Sequence, residues 1–281
     1  SPESLGPVAL GTPELGSLMN AVQMPYSDRW QIVEPHQAWG TPETIDFIVR
    51  AIAAVHEQHG DAPPLYVGDL SRKHGGYIHP HQYHQTGRDV DLGFYYSSPK
   101  RWYWKAWRSN LDVARTWSLI KGLVTRTDVE FIYCDRSGSR LVLEHARESG
   151  EDPAWLRRVF GWRSETKSRP LVRHVPGHRT HIHVRFYNPV AQESGRRLFP
   201  ILRKHRLLRH PELLVKHKVL EGEDIRNIAK RYKTSQRGIR RVNELTKNEL
   251  EVGKTYLVPH RVKLAPDREP IVVPPRTLPP G

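Results

Sequence analysis

Ile45, Ile48, Val49 and Ile52 recur at the three-and-four spacing of one helix face. Thr41 stands where it can cap that helix, and Pro42 suits its first turn. Pro63-Pro64 interrupts the chain, and Leu65 to Leu70 then reads as a strand. Asp89-Val90-Asp91-Leu92-Gly93-Phe94 and His181-Ile182-His183-Val184-Arg185-Phe186 alternate polar and apolar positions, the pattern of half-buried strands. Between them the pattern predicts a helix over 111–127, a buried strand over 129–134 and helix over 140–160 with a break near Pro153. Residues 1–30, rich in Gly, Pro and Ser, predict an irregular arm, and 71–88 a Gly- and His-rich loop.

Past Pro200 the composition changes. Residues 201–214 are basic and read as a linker, and 215–260 carry a second compact pattern. Val215 to Val219 predicts a short strand, followed by a turn at Gly222-Glu223-Asp224 in which Asp224 can cap a helix. Ile225, Ile228, Ala229 and Tyr232 give that helix an apolar stripe. A second helix is expected over 236–243 and a returning strand over 250–259. The Pro-rich stretch 261–281 predicts an extended tail without a core. The expected division is therefore 1–200, a linker 201–214, a small unit 215–260 and the tail 261–281.

Composition narrows the classes. The chain has 281 residues, 37% of them hydrophobic, with 8 Trp and 11 Tyr, enough to build a core and exclude wholesale disorder. A formal net charge of +14 favours polyanionic surroundings, whether nucleic acid, anionic lipid or an acidic cell wall. No zinc-finger spacing or RNA-recognition signature accompanies the charge, so nucleic acid is not the expected partner. The lone Cys134 sits in an apolar run and reads as a small buried hydrophobe; no intrachain disulfide can form. No apolar stretch has the roughly 18 residues a transmembrane helix needs. Ser1 to Gly6 do not resemble a signal peptide, so the signal of an exported protein would have been removed or would lie outside this sequence.

The chemistry concentrates in two windows. One holds His74, His79, His81 and His84, the other His174, His178, His181 and His183, together half of the 16 histidines. His181, His183 and Arg185 share one face of their strand, with Ile182, Val184 and Phe186 on the other. Asp89 and Asp91 likewise share a face, and Gly87 permits a tight turn between His84 and that strand. A His-x-His spacing alone is weak evidence, and His79-Pro80-His81 reads as a coincidental second instance. If the two strands pair, histidine and carboxylate converge on one point, leaving a fourth position for water as in catalytic zinc sites.

His84-Gln85-Thr86-Gly87-x-Asp89-Val90-Asp91, followed by His178-x-x-His181-x-His183, resembles the penicillin-insensitive murein endopeptidases, which group with lysostaphin-type and D-Ala-D-Ala carboxypeptidase zinc enzymes. Gly16-Ser17-Leu18, Trp39-Gly40-Thr41 and Val67-Gly68-Asp69-Leu70 extend the likeness over about 15–190. The resemblance implies zinc ligands at His84, Asp91 and His183, assistance to the metal-bound water by His181, and stabilisation of transition-state charge by His178. His81, Asp89 and Arg185 are additional candidates to touch metal or substrate, and Arg88 is another cation near the motif. Gln82 stands where the wider carboxypeptidase pattern has Ser, and Asp89 where it has Ala; both point to the murein endopeptidase branch.

The second unit resembles a LysM domain through Gly222-x-Asp224-x-x-x-Ile228-Ala229-x-x-Tyr232, Asn243, Val252-Gly253 and Val258-Pro259. That family binds N-acetylglucosamine-containing glycans, and the resemblance puts Gly222, Asp224 and Asn243 at the sugar. Ile225 replaces the usual hydroxyl residue after the aspartate. Together the resemblances imply an α+β fold: an antiparallel-sheet zinc peptidase domain with flanking helices, plus a small βααβ LysM-like domain. They imply a secreted or periplasmic, wall-associated enzyme that hydrolyses peptidoglycan cross-links between D-Ala and meso-diaminopimelate. The competing reading is a non-catalytic wall-binding protein with a degenerate peptidase domain; the presence of all presumed ligands and both assisting histidines argues against it.

Overall fold

The computed structural model describes residues 2–79, 81–161, 169–266 and 269–280. Ser1, Pro80 and, in the tail, 267–268 and 281 lie outside the described residues, as do 162–168. In chain order the elements are β1 (Val8–Thr12), β2 (Leu15–Met19), β3 (Val22–Gln23), β4 (Trp30–Ile32), β5 (Trp39–Gly40), α1 (Pro42–Gln58), β6 (Leu65–Val67), β7 (Asp89–Gly93), α2 (Val113–Arg126), β8 (Val129–Cys134), α3 (Arg136–Glu148), α4 (Pro153–Phe160), β9 (Val172–His174), β10 (His181–Phe186) and α5 (Pro189–Lys204). The second unit adds β11 (Glu212–Lys218), α6 (Ile225–Arg231), α7 (Gln236–Val242) and β12 (Thr255–Arg261).

The fold is α+β, built on a six-stranded sheet in the order β4-β6-β7-β10-β8-β9. The pairs β6–β7, β7–β10 and β10–β8 are antiparallel, while the outer pairs β4–β6 and β8–β9 are parallel. The sheet is therefore mixed at its edges and antiparallel at its centre. Ile182, Val184 and Phe186 of β10 and Val90 and Leu92 of β7 are fully buried against the helical layer, each burial of such a side chain being worth about 1.5–3 kcal/mol. α1 begins as its sequence predicts, with Thr41 Oγ1 accepting the Thr44 N–H at 3.1 Å. α1 and α2 pack closely because Gly122 has no side chain: a Cβ there would stand 3.0 Å from Ala54 Cβ and 3.2 Å from the Ala51 carbonyl.

Residues 1–30 depart from the expected irregular arm. β1 and β2 form an antiparallel hairpin with Gly11 opposite Gly16, and Val8, Leu10 and Leu18 are buried. The glycines serve close packing here: a Cβ on Gly16 would collide with Thr86 Cγ2, and Gly195 of α5 lies against the Ala9 carbonyl. The expected helix over 140–160 is two capped helices, α3 and α4, separated at 149–152, with Asp152 accepting the Trp155 N–H. The strand expected over Leu65–Leu70 ends at Val67. A domain edge at 200 falls inside α5, because Pro200 stands within that helix.

In the second unit β11 and β12 pair antiparallel, Val215 opposite Val258, around α6 and α7. Val219, Ile225, Ile228, Ala229, Ile239, Tyr256 and Val258 form its core. The chain then returns to the first unit. Leu264 packs with Val8, Leu10, Phe199 and Leu202, and further along the Thr277 carbonyl accepts the Trp155 Nε1–H at 2.8 Å. Arg276 pairs with Asp128 at 2.9 Å. The Pro-rich tail is extended, as its composition predicts, but lies along the first unit.

Candidate metal centre and the wall-binding unit

The antiparallel register of β7 and β10 sets His183 opposite Asp91, Arg185 opposite Asp89 and His181 opposite Gly93. The polar faces of both strands thus meet at one place. Neither strand is half-buried as the alternation predicts, for the polar face is covered too: Asp89 is 0% exposed, Asp91 1%, His183 3% and His181 6%. The cover is the loop before β7, which carries His81, Tyr83 and His84. Gly87 makes the return to the strand in the left-handed region at φ 69°. His84 itself is held at φ 70°, a conformation that costs a non-glycine residue of order 1–3 kcal/mol and is concentrated at functional sites.

His84 Nδ1 lies 3.1 Å from the Leu70 carbonyl. A carbonyl only accepts, so Nδ1 carries the hydrogen and Nε2 presents a lone pair. That Nε2 is buried without a hydrogen-bond partner, 3.4 Å from Asp91 Oδ1. His183 Nδ1 is 2.9 Å from the same oxygen. On the other side, His81 Nδ1 is 3.8 Å from Asp91 Oδ2, and its Nε2 is 3.0 Å from Asp69. His81, His84 and Asp91 present ligand atoms within 4.8 Å of one another, a group that can hold a metal ion. An orphaned imidazole lone pair aimed at a carboxylate is the donor set such an ion requires. His183 is not part of that group, and it meets the Asp91 oxygen that His81 does not.

His181 and His178 border this cluster, with ring centroids 5.1 Å apart. His181 Nε2 is 3.7 Å from Asp91 Oδ2, and its Nδ1 is 2.9 Å from Thr180 Oγ1. Burial pushes His181 down to about 4, against the opposing pull of Asp91. Burial and the neighbouring His183 also lower His178, whose Nδ1 is 3.3 Å from the Val175 carbonyl. His183, held between Asp89 and Asp91, is raised to about 9 despite burial. Asp91 stays well below the usual carboxylate range because the surrounding imidazoles outweigh its burial.

The cationic candidates are committed elsewhere. Arg88 donates from Nε to the Phe186 carbonyl and pairs with Glu130 at 2.9 Å. Arg185 is buried and donates to Asp89 at 2.8 Å. Two features of the cleft were not singled out from the sequence. Asp69, just past β6, meets His81, and its position after a strand and next to Gly68 was the available signal. The aromatic run Trp102-Tyr103-Trp104 was another: Tyr103 and Trp102 stand 5.2 and 6.1 Å from the His181 ring, and Tyr103 and Trp104 are about half exposed.

In the small unit the motif residues are bound internally. Asp224 Oδ1 accepts the Asn227 N–H at 2.7 Å, capping α6. Asn243 donates to the carbonyls of Ile239 and Leu257 and accepts the Leu257 N–H. Gly222 turns at φ 78° with open space around it.

A mixed sheet thus brings buried imidazoles and a carboxylate to one place, a donor set that can hold a metal ion. Residues 9–121 match the family model described as penicillin-insensitive murein endopeptidase, and residues 217–259 match that of the LysM domain. The chain is thus similar over 9–121 to murein endopeptidases and over 217–259 to LysM domains. The first match contains His81, His84, Asp89 and Asp91; the β10 histidines lie beyond it and join the site through the sheet register. No curated protein matches the chain. No helix among the described residues is long and apolar enough to cross a membrane.

Proposed function

We propose that the chain is a zinc-dependent endopeptidase of the bacterial cell wall, acting outside the cytoplasm on cross-links between D-Ala and meso-diaminopimelate. His84, Asp91 and His183 would hold the zinc, which supplies Lewis acidity to the scissile carbonyl and to an attacking water. The observation that carries this reading is the buried, partnerless His84 Nε2 facing Asp91, with His183 on the opposite strand in register.

The flanking histidines divide the proton work. His181, kept neutral by burial, takes a proton at Nε2 and returns it to the leaving amine. His178 turns Nδ1–H to Val175, so it meets a developing oxyanion through Nε2, and only once protonated there. The domain division 1–200, 201–214 and 215–260 is kept with its edges moved to the end of α5 at Lys204, the start of β11 at Glu212 and the end of β12 at Arg261, and the LysM unit keeps the enzyme on glycan. The deciding experiment is turnover of purified cross-linked muropeptides with and without chelator. Hydrolysis that chelation abolishes and zinc restores is expected; hydrolysis indifferent to chelator, or none under any metal, defeats the proposal.

A further inference from the structure

Asp89 has no route to substrate. It is 0% exposed, and its Oδ1 accepts from His183 Nε2 at 2.9 Å and from Arg185 Nε at 2.8 Å. The Arg185 guanidinium is in turn clamped between the rings of Tyr83 and Phe131, 4.8 Å from each centroid, and reaches Glu14 at 3.5 Å. These contacts form a chain running from the aromatic clamp through Arg185 and Asp89 to His183, and it ends 2.9 Å from Asp91.

The direction of that chain is fixed by donor chemistry. A carboxylate only accepts, so the His183 nitrogen that faces Asp89 must carry its hydrogen. By the same rule Nδ1 donates to Asp91 at 2.9 Å in the metal-free protein; a metal beside Asp91 would take the place of that hydrogen, leaving Nε2–H on Asp89 and Nδ1 as the ligating atom. The same Asp89 oxygen also accepts from Arg185 Nε, so both of its neighbours there are donors.

We propose that Asp89, braced by Arg185, is a positioning residue that fixes the tautomer and ring orientation of His183 for metal binding, and is neither a ligand nor a substrate contact. This rests on His183 being a ligand. Partners of this kind typically raise metal affinity about 10–100-fold. The amide in Asp89→Asn can offer His183 an N–H instead of an acceptor and so favours the wrong tautomer, while side-chain volume is kept.

The test compares zinc affinity, measured by chelator competition, in the wild type and in the Asp89→Asn, His183→Ala and Asp91→Asn variants. Thermal unfolding of the metal-free proteins runs alongside. Asp89→Asn should fold and weaken zinc about 10–100-fold, less than either ligand variant. Imidazole ¹⁵N shifts of zinc-loaded wild type should show His183 protonated at Nε2, a signature that a merely structural aspartate would not produce. Wild-type affinity in Asp89→Asn overturns the proposal, as does a loss equal to that of Asp91→Asn, which would make Asp89 a ligand. Full zinc binding by His183→Ala would instead sink the ligand assignment beneath it. Should Asp89→Asn not fold, Arg185→Gln takes its place: zinc affinity lowered by up to about tenfold supports the brace, and unchanged affinity refutes it.

Discussion

The candidate metal cleft and the LysM-like unit both announce themselves by short polar motifs, yet the two sets of residues are used in opposite ways. In the cleft, the motif side chains are buried and at least one acceptor, His84 Nε2, is left without a partner. Such a group costs about 1–3 kcal/mol unless something binds it. In the LysM unit, Asp224 caps a helix and Asn243 satisfies three backbone groups. There the motif builds the fold. A motif residue with unmet bonding capacity points to a ligand, and one with its capacity filled points to architecture.

The strongest break in this contrast is removal of a proposed ligand. His183→Ala should strip zinc and abolish muropeptide turnover with little change in the metal-free fold, whereas Asp224→Ala should leave turnover of small soluble muropeptides untouched. Metal analysis beside initial rates reads both, and full zinc in His183→Ala would erase the distinction.

Next in size is His181→Ala. Zinc should remain bound while kcat on muropeptides falls about 10²–10⁴-fold, the usual worth of general acid–base help. A near-normal kcat would leave His181 as only a wall of the cleft.

The tail sharpens the comparison from another side. A chain cut after residue 200 looks, from its sequence, like a peptidase freed of its tether. The structure shows that such a cut also removes Leu202 and Leu264 from the cluster over β1, and the acceptor of the Trp155 N–H. Removing residues 264–281 alone should cost about 2.5–6 kcal/mol, from one buried leucine and one orphaned donor. Thermal unfolding measures this, and zinc affinity should not change. An unaltered melting temperature would show the tail to be a passive appendage.

Smallest are the changes inside the LysM unit. Asp224→Ala should cost about 1 kcal/mol through its cap. Asn243→Ala should cost about 1–3 kcal/mol through the backbone groups it leaves unpaired. Glycan affinity should fall only as far as folding does. A large loss of glycan binding by a fully folded Asn243→Ala protein would return that residue to the sugar.

Much of this was legible in the chain itself. Periodicity located α1, β10 and α6, because each carries an apolar face within a few positions, and Thr41 and Asp224 cap the two helices. Strand alternation singled out Asp89 with Asp91 and His181 with His183, while His84 and His178 were joined to them through the family resemblance. What the sequence missed, it missed for physical reasons. The arm hid its hairpin because Gly11 and Gly16, read as loop formers, are there to let backbones touch.

Amino-acid order determined which residues could share a face of a strand and which could cap a helix, since both depend on neighbours within a few positions. Only the tertiary structure decided that Asp91 lies opposite His183, that Arg185 is turned inward to Asp89 and not outward to a substrate, and that Asp69 backs His81. Those choices follow from sheet register and from the loop that closes over it. Register between strands some ninety residues apart in sequence is set by the fit of the whole buried sheet against its helices, which no local pattern records.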